Sequence, residues 1–199
     1  MVFRRTVVIA YGKRNKQLKM GLREIKNELK KLDKDKIVDI LTDLYKKNKA
    51  VKEYFDFYFD PNEKELFKKY RDKVFEAFYP KRGDNLKLKD GKKAISDFKK
   101  LGPSTELIPD LMLFYVETGV EYTNDFGDID DNFYSSLEST YVEALKLMRK
   151  ENLLDKFAER TSKVINDTDN IGWGFHDYLS YVYSEFYPDD IIEIEELKL

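Results

Sequence analysis

A chain of 199 residues, 42% apolar and 15% aromatic, is long enough to bury a substantial core beneath its 37% charged residues. The absence of cysteine excludes disulfides, thiol nucleophiles and thiolate metal sites, and a single histidine excludes every site that needs two. Net charge is −2, yet residues 1–100 hold 29 Lys/Arg against 16 Asp/Glu (+13) and residues 101–199 hold 7 against 22 (−15). That asymmetry predicts complementary surfaces, within or between molecules, or a basic half that meets an anion.

Residues 1–19 place an arginine pair before the short apolar run "VVIAY". The run is about half the length of a secretory core and charges follow at once, so the chain is expected to be cytoplasmic, with no membrane partner. Residues 1–19 are expected to form a flexible arm or an extension arising from an upstream start. "MGLREIKNELKKL" then sets Leu22, Ile25, Leu29 and Leu32 on one amphipathic stripe. Asp33 caps a second helix in which Ile37, Ile40, Leu41, Leu44 and Tyr45 are expected to face inward, and Asn48 caps a third.

"DPNE" reads as a helix start with Asp60 at the N-cap, Pro61 in the first turn and Glu63 completing a capping box; the helix stops before Pro80. A polar loop with Gly83 and Gly91 follows, then a short helix ended by Gly102 and Pro103. Ser104 caps the next helix, with Pro109 near its start, and "YTNDFGDIDD" reads as a turn. Two more helices cover "NFYSSLESTYVEALKLMRKEN" and "LDKFAERTSKVIND". A last one runs from Trp173 to Phe186, and residues 188–199 form an acidic tail.

Eight or nine helices with short connections predict an all-α fold of irregular stacked antiparallel hairpins, as a single domain over 20–187. Tyr115, Gly119 and Tyr122 have the Y-x-x-x-G-x-x-Y spacing of a tetratricopeptide first helix, and "YVEALKL" resembles the second. Gly119 would let the neighbouring helix approach closely. Three stretches, "FKKLGP", "TNDFGDID" and "GWGFHD", carry a wider resemblance over residues 20–187. The chain resembles an uncharacterised bacterial family of all-helical proteins. That resemblance implies a compact helical fold and assigns no activity.

Trp173 and His176, the only tryptophan and the only histidine, lie three residues apart. His176 can be a general base if a carboxylate from "DFGDID" orients it, or a core-edge histidine beside a Trp173 that fills a gap left by glycines. Asp125, Asp128 and Asp130 are metal candidates, but a loop starting at Asp128 puts Phe133 where a calcium loop needs glycine and Ser139 where it needs glutamate. A capping cluster at the next helix start is the other reading.

Lysine outnumbers arginine 28 to 8 and is interleaved with acids, the pattern of solvated helix faces more than of base readout. No residue pattern implies a cofactor. The pattern favours a non-enzymatic protein-interaction module, with Trp173, His176, Tyr115 and Tyr122 as candidate binding residues and an unknown protein or a second copy as partner. The alternatives are nucleic-acid or anion binding through the basic half, and a metal-assisted hydrolase built on His176 and the 125–131 carboxylates.

Overall fold

The computed structural model describes residues 20–83 and 85–188, so the expectations for the 1–19 arm and for the tail beyond Pro188 lie outside the described residues. The chain divides into two compact units, Met1–Lys52 and Glu53–Leu199. Among the described residues all regular structure is helical, as the periodicity predicts.

The first unit holds α1 (Leu22–Leu29), α2 (Lys34–Lys47) and the start of α3 (Lys49–Phe59). Glu24 reaches back to the Gly21 amide at 2.8 Å, Asp33 accepts from the Lys36 amide at 2.8 Å, and Asn48 accepts from the Ala50 amide at 3.0 Å. These are the start signals visible in the sequence. The inward face is a different matter. No residue of α1, α2 or α3 is buried, and the Leu22, Ile25, Leu29, Ile40, Leu41 and Leu44 side chains are between 38% and 72% exposed. Among the described residues of this unit, the apolar side of α1 and α2 has no second layer against it.

The second unit is three consecutive hairpins. α4 (Glu63–Phe78) packs on α5 (Leu88–Leu101), α6 (Leu107–Phe126) on α7 (Asp131–Lys150), and α8 (Leu154–Asn166) on α9 (Phe175–Phe186). The hairpins stack through α4 on α6 and α7 on α9. Rings fill the core: Tyr70, Phe78, Phe98, Tyr115, Phe133, Tyr141 and Phe175 are all buried. Phe78 meets Tyr115 edge-on at 4.9 Å and Phe133 at 6.2 Å. Tyrosine in such a core needs a partner for its hydroxyl. Tyr115 finds the Ser136 hydroxyl at 2.7 Å, and Tyr141 donates to the Thr161 carbonyl at 3.1 Å.

Several boundaries differ from the sequence reading, and at Ser104 and Gly91 a tertiary contact outweighs the local signal. The cap of α4 is Asn62, which accepts from the Glu65 amide at 3.1 Å; Asp60 and Pro61 precede it. Glu63 instead accepts from the amide and hydroxyl of Ser104, both at 2.6 Å, so Ser104 ties the α4 start to the α6 start and caps nothing. Gly91 lies inside α5, where a β-carbon would stand 2.7 Å from the Tyr115 ring and 3.1 Å from Ala77. Tyr122 to Phe126 continue α6, which ends only at Gly127. Residues 173 and 174 lie outside α9.

Gly119 does what its spacing suggests. A β-carbon there would lie 2.4 Å and 2.8 Å from the two methyls of Leu137, so α6 and α7 meet at a distance only glycine allows. Alanine would gain roughly 1 kcal/mol of helix propensity but must displace a fully buried leucine. Gly119→Ala is therefore expected to lose about 1–2 kcal/mol net, read as a lower urea midpoint; an unchanged midpoint would show that α7 has room to move.

Candidate functional site

The Trp173–His176 segment starts where α8 ends. Thr168 is fully buried in the turn, and its hydroxyl donates to the Ile165 carbonyl at 2.7 Å. Asn124 donates to the Asp167 carbonyl at 2.9 Å, pinning this turn to the end of α6. Trp173 and Gly174 then both adopt left-handed backbone, with φ of 62° and 67°, before α9 begins. For a residue with a β-carbon that conformation costs roughly 1 kcal/mol. The strain does not drive the indole into the core. Trp173 is 65% exposed, with its ring 6.4 Å from Tyr134. The expectation that it fills a gap between helices is corrected: the turn displays it.

His176 is half-buried at the first turn of α9. Its Nδ1 lies 2.9 Å from the Thr168 hydroxyl and its Nε2 lies 3.4 Å from the Ser180 hydroxyl. Because the Thr168 proton is spent on Ile165, Nδ1 must carry the hydrogen and donate to Thr168, which leaves Nε2 to accept from Ser180. The nearest carboxylate is Asp169, not one from 125–131, with Oδ1 at 3.7 Å from Nδ1. Ser180, His176 and Asp169 thus stand in the order of a hydrolytic triad, but the geometry lacks its two working parts. Thr168 holds the position the carboxylate should hold, and Asp169 is 68% exposed. Ser180 sits within α9, where the backbone amides around it are committed to the helix rather than free to hold an oxyanion.

The acidic run 125–131 is divided among separate tasks. Asp125 accepts from the Tyr79 hydroxyl at 3.0 Å, Asp128 from the Tyr134 hydroxyl at 2.8 Å, and Asp130 from the Phe133 amide at 2.8 Å as the cap of α7. Burial and the Asp128 bond push the Tyr134 hydroxyl above the ordinary tyrosine range, although its contact with Thr123 pulls the other way. Among the described residues no three His, Asp or Glu side chains converge on one point. Of the candidate binding residues, Tyr115 is fully buried, whereas Tyr122 is half-buried in a ring cluster with Tyr79 and Phe126.

This geometry ties together two of the motifs noted in the sequence. "TNDFGDID" ends α6, caps α7 and pins the 167–174 turn, while "GWGFHD" begins α9 against it. A family described as one of unknown function, DUF6155, matches residues 20–187. The chain belongs to that family. The family match spans α1 through α9, so it includes the exposed helices of the first unit. No curated protein and no solved structure matches the chain. Among the described residues no helix is long and apolar enough to cross a membrane.

One polar cluster was missed in the sequence. Arg160 on α8 donates to both Glu117 oxygens at 2.9 and 2.8 Å and to Asp110 at 2.7 Å. Burial works against the guanidinium charge, but these hydrogen bonds hold its pKa above the ordinary range. Asp110 and Glu117 are two turns apart on one face of α6, a spacing that gains meaning only once α8 supplies the cation.

Two outcomes check this site. His176→Ala, which removes the hydrogen bond to the buried Thr168 hydroxyl, should cost about 1 kcal/mol in a thermal melt, and an unchanged midpoint would contradict the structural role. Emission of the single indole should be that of a solvated ring and fully open to acrylamide quenching in the folded protein; a blue-shifted, protected emission would place Trp173 inside.

Proposed function

We propose that the chain is a non-enzymatic helical protein-interaction module whose contact surface is the apolar face of α1 and α2. The observation that carries this reading is that neither helix buries a residue, although six of their leucine and isoleucine side chains share the amphipathic stripes. Covering an aliphatic side chain of this size contributes roughly 1.5–3 kcal/mol, and six together outweigh part of the cost of association.

The polar sides of the same helices are suited to water. Lys31 pairs with Glu28, Lys36 with Asp33 and Lys47 with Asp43, each three or four residues along its own helix. These three lysines, already facing carboxylates, are weaker phosphate contacts, and the complement of the aliphatic stripes is an apolar protein face. The partner that fits first is a second copy, because two such pairs bring together the four amphipathic helices that close a bundle core.

Sedimentation of the full chain over a wide concentration range tests the reading. Reversible self-association should appear and should be abolished by Leu41→Asp with Leu44→Asp, helix content by circular dichroism being retained. Association should persist through nuclease treatment and high salt. A chain that stays monomeric at every concentration, or whose association survives both substitutions, would contradict it.

A further inference from the structure

Helices α4, α6 and α8 enclose a groove of about 540 Å³, floored by α6 and lined at its rims by Arg71 of α4 and by Arg160 and Lys163 of α8. Two of its three cations are paired with carboxylates, and the third stacks on a ring. Arg160 is clamped by Glu117 and Asp110, Lys163 pairs with Asp167, and Arg71 lies over the Phe114 ring at 4.0 Å. Two carboxylates on the floor are not neutralised in this way. Glu121 faces no cation among the described ion pairs, and Asp125 accepts only the Tyr79 hydroxyl at 3.0 Å.

The same two carboxylates border a run of rings. Phe75 stacks on Tyr79 at 4.8 Å, Tyr79 meets Tyr122 edge-on at 5.4 Å, and Tyr122 contacts Phe126 at 4.7 Å. The ends of this run face water, with Phe75 43% and Phe126 65% exposed. Burial first, then the Asp125 hydrogen bond and the charge of Glu121, hold the Tyr79 proton on well above the ordinary tyrosine range. Tyr79 is therefore a standing donor that fixes the Asp125 carboxylate and leaves its remaining lone pairs for another donor.

We propose that this strip is a binding surface for an arginine-bearing segment of a partner protein. The complement of open aromatic faces beside carboxylates is a cation with a flat, weakly hydrated body, and guanidinium has that form. It can stack on a ring and donate two parallel hydrogen bonds to a carboxylate at once, which the compact ammonium of lysine cannot. An anionic ligand is disfavoured at the strip itself, where the two charges beside the rings, Glu121 and Asp125, are both negative. The strip lies wholly within the second unit and is independent of the α1–α2 face.

The test is a titration of the isotope-labelled full chain with acetyl-Gly-Arg-Gly-Arg-Gly amide, followed by amide chemical shifts. Saturable shifts are expected at Tyr79, Glu121, Tyr122, Asp125 and Phe126, weakening with salt. The same peptide with citrulline in place of arginine should be silent. Glu121→Gln with Asp125→Asn, which keeps an acceptor for Tyr79, should weaken binding about tenfold or more. Absence of saturation at millimolar peptide, equal binding of the citrulline peptide, or indifference to the double substitution would each overturn the proposal. Leu41→Asp with Leu44→Asp should leave this titration unchanged, so the two surfaces stand or fall separately.

Discussion

Helix α6 is in contact with α4, α5, α7 and α8, and at Gly119 it meets Leu137 of α7 so closely that a β-carbon would have no room. A twenty-residue helix touched from so many directions must be apolar on most of its circumference, and "LMLFYVETGV" is. Its polar residues fall where neighbours need them. Asp110 and Glu117 hold Arg160 of α8, Asn124 holds the 167–174 turn, and Asp125 holds Tyr79 after α4. The three hairpins of the second unit are thus fastened to one element by packing in the middle and by side-chain hydrogen bonds at its ends. The aromatic strip and the groove follow from the same arrangement, since α6 supplies their floor.

Chemistry-bearing residues near His176 are largely consumed by structure. The imidazole has a partner on each nitrogen, Thr168 is fully buried, Asp130 caps a helix, and Asp125 and Asp128 accept tyrosine hydroxyls. The large exposed features among the described residues include an indole held out on left-handed backbone, a row of rings beside two carboxylates, and the aliphatic face of α1 and α2. Large exposed rings and aliphatic faces are the kind of side chain that dominates contact energies once covered.

The helical plan was legible because helix period and punctuation are local. Asp33, Asn48 and Gly102 each end or begin an element within a residue or two of where composition suggests. Gly119 was legible too, because its spacing between Tyr115 and Tyr122 requires a neighbour. What could not be read locally depends on partners distant in sequence. Gly91 reads as a loop glycine until Tyr115 packs on it, and Ser104 reads as a cap until Glu63 takes its hydroxyl. The stripes of α1 and α2 misled in the opposite sense. Periodicity reports that a face is apolar, but not whether the same chain covers it, and the inward orientation expected for Ile40, Leu41 and Leu44 is not found. Trp173 failed for a related reason: size predicts burial, whereas the backbone of a three-residue turn sets where the ring points.

The central claim is that the core of the second unit is organised on α6, whereas α1 and α2 bury nothing among the described residues. Amide hydrogen exchange of the full chain at low concentration measures that difference directly, because it reports the local opening free energy of each helix. The account predicts slowest exchange in α6 and α7, fast exchange throughout α1 and α2, and protection of α1 and α2 rising with protein concentration. Exchange in α1 and α2 as slow as in α6 under dilute conditions would contradict it, since helices with no buried residue cannot by themselves resist opening to that degree.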